Sequence, residues 1–210
     1  MELPFQWDDG NFISPFVRST EEDMRLLVQH LYDTVWGPQI LKSNHGSTFR
    51  LRMVDLGCGD GAALLFLYQS LTQLWKAQHS TDGKVLVVEV CGIDLDEELV
   101  EQACASAQET PESTAVKVSF VFRTEDVRYC SLDQYFPKFE ATAGDGTDVV
   151  LQPLLFLYLL PEALEALEKY ISEIMNDRHH IVVSNRWTIP YFPETQLTVL
   201  EHHIHVYRHT

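Results

Sequence analysis

The chain has 210 residues, 45% of them hydrophobic, which is enough for one sizeable buried core and leaves no length that demands a second domain. Its 31 acidic against 15 basic residues give a formal net charge of −16, which repels phosphate backbones, sets nucleic acid aside as a partner and favours basic or neutral ones. The four cysteines form no C-x-x-C pair, the start is neither basic nor apolar, and the apolar run 149–160 is interrupted by Gln152 and Pro153. These features predict no disulfide framework, targeting segment or membrane span, and hence a cytoplasmic protein, with the nucleus as the alternative compartment.

Residues 1–18 carry aromatics and prolines without a period. Ser19-Thr20-Glu21-Glu22 then offers a capping box for a helix to about Trp36, with Met24, Leu27, Leu31 and Val35 on its apolar face. The run 51–56 reads as a strand ending at glycines, with an apolar helix over about 61–75 behind it. A strand over 84–95, a helix over 97–108 and an alternating strand over 116–123 repeat the pattern. A fourth strand over 148–151, a helix opened by Pro161 and running to about Met175, and a fifth strand over 180–185 follow. Strands alternating with helices predict an α/β fold, a doubly wound and mostly parallel sheet. The tail differs, because 197–201 and 203–208 read as two strands with no helix after them. The expectation is a Rossmann-like sheet of seven strands ending in an antiparallel pair. It forms one domain over 1–210, with a cover and helix over 1–40 and a core over 50–210.

The strongest motif is Met53-Val54-Asp55-Leu56-Gly57-Cys58-Gly59-Asp60-Gly61, in which glycines allow a sharp turn and the close approach of a ligand. Its spacing is G-x-G-x-G, whereas a nicotinamide or flavin site more often shows G-x-G-x-x-G facing a pyrophosphate. An acidic residue before the first glycine suits a ligand end that carries an ammonium group. S-adenosylmethionine (SAM) has such an amino-acid end and adds a positive sulfonium. Asp94, at the end of the second strand, lies where a carboxylate accepts both hydroxyls of a ribose, while Asp96 reads as a cap of the next helix. The long interval from the glycines to Asp94 is assigned to the polar loop 79–83. In Thr124-Glu125-Asp126-Val127, a carboxylate can accept the exocyclic amine of adenine while the next backbone amide meets the ring.

With these three motifs in order, the sequence resembles the class I SAM-dependent methyltransferases from about Phe12 to the end of the chain. More narrowly it resembles the lysine N-methyltransferases of the adenine nucleotide translocase and the ATP synthase c-subunit, with their bacterial relatives. The residues behind the narrower likeness are Ser14-Pro15-Phe16-Val17, the glycine turn, Leu160-Pro161-Glu162-Ala163-Leu164 and 182–190. The resemblance implies that Asp55, Gly57, Gly59 and Gly61 line the methionine end of SAM, with Cys58 supplying backbone. It further implies that Asp94 holds the ribose, that Asp126 and Val127 flank the adenine, and that Pro15 and Phe16 form a cover. The mitochondrial members carry a membrane or targeting segment that is not expected here.

On the acceptor side the candidates are Phe16, Gln152, Tyr158 and Trp187, the last within the aromatic-rich stretch 186–192. Gln152-Pro153 falls where amino-methylating enzymes carry an Asn-Pro-Pro-aromatic turn, although a polar residue at a strand end is the plainer reading. His202, His203, His205 and His209 lack a ligand spacing, and no metal is expected. The expected activity is therefore SAM-dependent transfer to a protein lysine, with a basic protein as substrate. A small-molecule methyltransferase and a non-catalytic SAM-binding partner subunit are the alternatives. The acceptor, the degree of methylation and the oligomeric state are left open.

Overall fold

In the computed structural model residues 17–43, 48–111, 113–140 and 148–209 are described. Helix α1 (Glu21–Leu31) is capped by Thr20, whose hydroxyl accepts from the Asp23 amide at 3.1 Å. Ser19 takes no part in that cap. The helical path runs on through a π-helical turn, Tyr32–Trp36, into α2 (Gly37–Lys42), one and a half turns past the end expected at Trp36. Gly37-Pro38 looks like a stop, but the π turn shifts the hydrogen-bond ladder. The Gly37 amide bonds to Tyr32 O, and Pro38 sits in the first turn of α2, where its missing N–H costs nothing.

The core then alternates as the periodicity predicts. Strand β1 (Thr48–Leu56) leads to α3 (Ala62–His79), β2 (Val85–Asp94) to α4 (Glu97–Gln108), and β3 (Val116–Thr124) to a 3-10 turn and the short α5 (Leu132–Tyr135). Helix α3 outruns its expected end by a turn. The His79 ring packs on Trp75, with centroids 4.3 Å apart, and bonds both the Tyr32 hydroxyl (2.8 Å) and Asp82 (2.7 Å).

The expected fourth strand over 148–151 is the first half of an interrupted strand. Both β4 (Asp148–Val150) and β5 (Leu154–Leu157) pair in parallel with β1, and the break spans 151–153. Pro153 has no N–H for the ladder. The Gln152 carbonyl turns to the Trp36 indole (2.9 Å), its amide donates to Gln39 (3.0 Å), and its side chain donates to His179 O (3.0 Å). The expected helix 161–175 is likewise two, α6 (Pro161–Ala166) and α7 (Glu168–Asn176), separated by Leu167.

Strand β6 (Ile181–Asn185) is followed by β7 (Leu197–Leu200) and β8 (Ile204–Tyr207). The sheet order is β3-β2-β1-β5-β6-β8-β7, with β8 antiparallel to both β6 and β7 and the other pairings parallel. With β4 and β5 sharing one column, the described strands fill seven places of a doubly wound sheet that ends in an antiparallel pair. Alternate β1 residues face two apolar layers. Phe49, Leu51 and Met53 pack under α1, the π turn and α3, while Val54 and Leu56 pack under α6 and α7. The order reverses between β1 and β5, which opens a crevice at their carboxyl ends.

Candidate cofactor and acceptor site

At that crevice β1 breaks into the turn 57–61, where Gly57, Gly59 and Gly61 have φ of 81°, 54° and 74°. This left-handed region favours glycine, and at two positions space is short as well. A Cβ on Gly57 would come 2.9 Å from Leu159 Cδ2, and one on Gly61 would come 2.9 Å from Ala103 Cβ.

Most of the turn's donors point inward. The Gly57 and Cys58 amides bond Ile93 O (2.8 and 3.0 Å), the Gly59 amide bonds Asp94 Oδ2 (2.7 Å), and the Gly61 amide bonds Cys58 O (3.0 Å). A pyrophosphate would need such amides as donors, and here they are consumed. Three carboxylates, Asp55, Asp60 and Asp94, surround the turn instead.

Asp55 is 2% exposed and its Oδ1 has no hydrogen-bond partner. Burial, assisted by the nearby Asp94 carboxylate, pushes its carboxyl well above the usual range. An orphaned acceptor of this kind is the natural partner of an ammonium group. Asp60, also buried, accepts from the Ala62 amide (3.2 Å) and is ion-paired by the exposed Arg18. Burial and the neighbouring Asp55 and Asp94 carboxylates push up the Cys58 thiol, so it stays protonated.

Asp94 caps the local geometry from the other side, with Oδ1 accepting from the Asp96 amide at 3.0 Å. Each of its oxygens retains a lone pair for a ribose hydroxyl. Asp96 is the cap of α4, accepting from the Glu98 (2.9 Å) and Leu99 (3.2 Å) amides, as its position predicted. Because Asp94 ties two loops together, Asp94→Ala is expected to lower the melting temperature as well as weaken S-adenosylhomocysteine binding. Each loss is about 1–3 kcal/mol, read by thermal denaturation and by calorimetry.

The segment 124–127 does lie beside Asp94, since Asp94 and Thr124 are register partners and the Glu125 amide bonds Asp94 O at 3.0 Å. The Asp126 carboxylate, however, is taken by Arg128, whose Nη2 lies 2.6 Å from Oδ2, and it also caps the 3-10 turn Val127–Tyr129. Burial works to raise the Asp126 carboxyl, but the Arg128 hydrogen bonds prevail and hold it low. An adenine amine would share the Asp126 carboxylate with Arg128. Val127 is buried in the apolar layer beneath.

Gln152 lies away from the carboxyl end of β5. It precedes Leu157, at the end of β5, by five residues, or about 16 Å of extended chain, and its polar groups are engaged with α2, Trp36 and His179. The residue that does follow β5 is Tyr158, next to the glycine turn because Leu56 and Leu157 are register partners. Its hydroxyl accepts from Arg186 at 3.3 Å. Trp187 is 39% exposed, whereas Ile189 and Phe192 of the same aromatic-rich stretch are buried. Phe16 and Pro15 lie outside the described residues.

Several site residues escape sequence reading. Ser19 accepts from Asn185 Nδ2 at the end of β6 (3.1 Å), and Asp23 meets His203 at 3.0 Å, so the start of α1 is fastened to the carboxyl end of β6 while Arg18 reaches the glycine turn. These contacts span up to 180 residues of sequence, and only Asp60, inside the glycine motif, carried a local signal. Among the described residues no group of three or more histidines, cysteines or carboxylates is placed to hold a metal ion, and no helix is long and apolar enough to cross a membrane.

No family model matches the chain, and no curated protein is significantly similar to it in sequence. Solved structures overlap it at low identity. An RNA methyltransferase from Salinibacter ruber in complex with S-adenosyl-L-homocysteine is 20% identical, over 91% of this chain and 92% of that one, with a TM-score of 0.46. An O-methyltransferase from Bacillus cereus is 11% identical over 82% of this chain and 59% of its own length, with a TM-score of 0.41. A SAM-dependent methyltransferase from Methanosarcina mazei is 13% identical over 69% and 56%, with a TM-score of 0.39. Likeness at this level decides neither activity nor acceptor, and the narrower resemblance to lysine N-methyltransferases finds no counterpart among the three.

Proposed function

We propose that this chain is a SAM-dependent methyltransferase that holds its cofactor over the carboxyl ends of β1 and β2 and methylates an acceptor brought in over β5 and β6. The observation that carries this reading is the acidic, donor-poor glycine turn. Its amides are spent internally, and Asp55 presents a buried oxygen without a partner. Asp55 would take the ammonium of the methionine end and Asp94 the ribose hydroxyls, while Gly57, Gly59 and Gly61 keep the surface free of side chains. SAM supplies a methyl carbon already activated by its sulfonium. The protein's part is chiefly to hold the acceptor in line and exclude water.

The finer reading is transfer to a lysine amine of a protein. It draws on the net charge of −16, which attracts basic segments, and on exposed Trp187, whose face suits an amine. The amine must arrive neutral, and an apolar wall lowers its pKa by desolvation. A second reading, a small-molecule acceptor, is favoured by Arg186, a cation at the mouth that does not welcome an ammonium.

Calorimetry is expected to show binding of S-adenosylhomocysteine and none of NAD. Tight NAD binding without a response to S-adenosylhomocysteine would overturn the cofactor. Labelled SAM with a lysate from cells lacking the protein then reads the acceptor, and methyl-lysine found by mass spectrometry identifies the protein-lysine activity.

A further inference from the structure

Seven of the nine arginines are ion-paired with a carboxylate: Arg18, Arg25, Arg50, Arg52, Arg123, Arg128 and Arg178. Arg186 is not, among the described residues of a chain in which carboxylates outnumber basic groups two to one. Arg186 instead bonds the Tyr158 hydroxyl, to which Nη1 donates at 3.3 Å, and the backbone of His203, whose carbonyl accepts the Arg186 amide at 2.6 Å. Its φ is 76°, a left-handed conformation that a residue with a Cβ rarely adopts. The bond to His203 O holds it there.

The position matters as much as the charge. Arg186 follows the last residue of β6, Tyr158 follows the last residue of β5, and Leu157 and Ser184 are register partners. The Tyr158–Arg186 pair therefore stands across the ends of the two strands beside the glycine turn, opposite the side of Asp94, with Trp187 exposed next to it. A guanidinium keeps its charge at any working pH and presents planar paired donors, of which one reaches Tyr158.

We propose that Arg186, with Tyr158 and Trp187, forms a subsite for a carboxylate carried by the methyl acceptor. This rests on the methyltransferase reading for its place beside the cofactor. Arg186 binds the carboxylate, Tyr158 fixes the guanidinium, and Trp187 covers the adjoining apolar part of the acceptor. The carboxylate belongs either to a small acid or to an acidic side chain next to a target lysine, and both present the same group.

The test uses the full chain saturated with S-adenosylhomocysteine, so that loss of cofactor binding, seen first by calorimetry, is separated from failure of the subsite. The Trp187 indole N–H, assigned by Trp187→Phe, is followed by NMR while benzoate or benzamide is added. Benzoate is expected to bind about tenfold or more tightly than neutral benzamide. Arg186→Gln should remove that preference. Arg186→Gly, which adopts a φ of 76° without strain, should remove it while keeping the fold. In the second arm N-acetyl-Lys-Glu-amide is compared with N-acetyl-Lys-Gln-amide. A preference for the glutamate peptide assigns the carboxylate to a polypeptide, and a preference seen with benzoate alone assigns it to a small acid. Equal binding within both pairs of probes, or a preference that survives in Arg186→Gly, overturns the proposal.

Discussion

Asp55→Asn is expected to raise the melting temperature of the ligand-free protein at pH 8 by about 2–8 °C and to weaken S-adenosylhomocysteine binding about 10- to 100-fold. Both effects come from one group. The Asp55 carboxyl is buried, its Oδ1 lacks a partner, and burial with Asp94 raises its folded-state pKa well above the usual value. The unfolded chain releases this proton near pH 4, whereas the folded chain retains it to higher pH. The unfolded state thus binds fewer protons above about pH 4, and Asp55 lowers stability progressively as pH rises toward its folded pKa. A ligand ammonium favours the ionised form, so binding releases the proton and affinity increases with pH over the same interval. Asparagine removes the ionisation and with it both dependences. Thermal melts and calorimetry at pH 5.5 and pH 8 measure them, and a variant that loses stability at pH 8 while binding S-adenosylhomocysteine as tightly as before would sink this role for Asp55.

Trp36→Ala is expected to cost about 3–5 kcal/mol, a fall in melting temperature of about 10–15 °C, with no loss of S-adenosylhomocysteine affinity in the molecules that remain folded. Trp36 is fully buried in the π turn between α1 and α2, and its indole donates to the Gln152 carbonyl at 2.9 Å. Alanine leaves a large cavity and also strands that carbonyl in the break between β4 and β5. Trp36→Phe keeps most of the buried area and loses only the hydrogen bond, so it should cost about 1–3 kcal/mol. Unchanged binding in both variants is what a structural Gln152, distant from the crevice, requires. A specific loss of cofactor affinity would return the 151–153 break to the functional site.

The chain's own periodicity determined that strands and helices alternate, that the tail ends in a strand pair, that a glycine turn follows the first strand and that Asp96 caps a helix. Each of these is written in neighbouring residues, within a turn of helix or a few residues of strand. Tertiary contacts decided the rest. Gly37-Pro38 reads locally as a stop, yet the path continues because Trp36, Ile40 and their neighbours find a buried face to occupy. Residues 148–151 read as a short strand, but pairing with both halves of β1 makes 148–157 one interrupted strand, so that of the two candidates Gln152 and Tyr158 only Tyr158 stands at its carboxyl end. Asp126 is paired with Arg128, a matter of side-chain geometry that spacing does not encode. Arg18, Ser19 and Arg186 carry no motif, and they gain their roles from the glycine turn, Asn185, Tyr158 and His203, brought alongside when the sheet assembles. Local pattern specifies which faces must be buried, but which polar groups meet at the crevice depends on how distant segments close over that buried core.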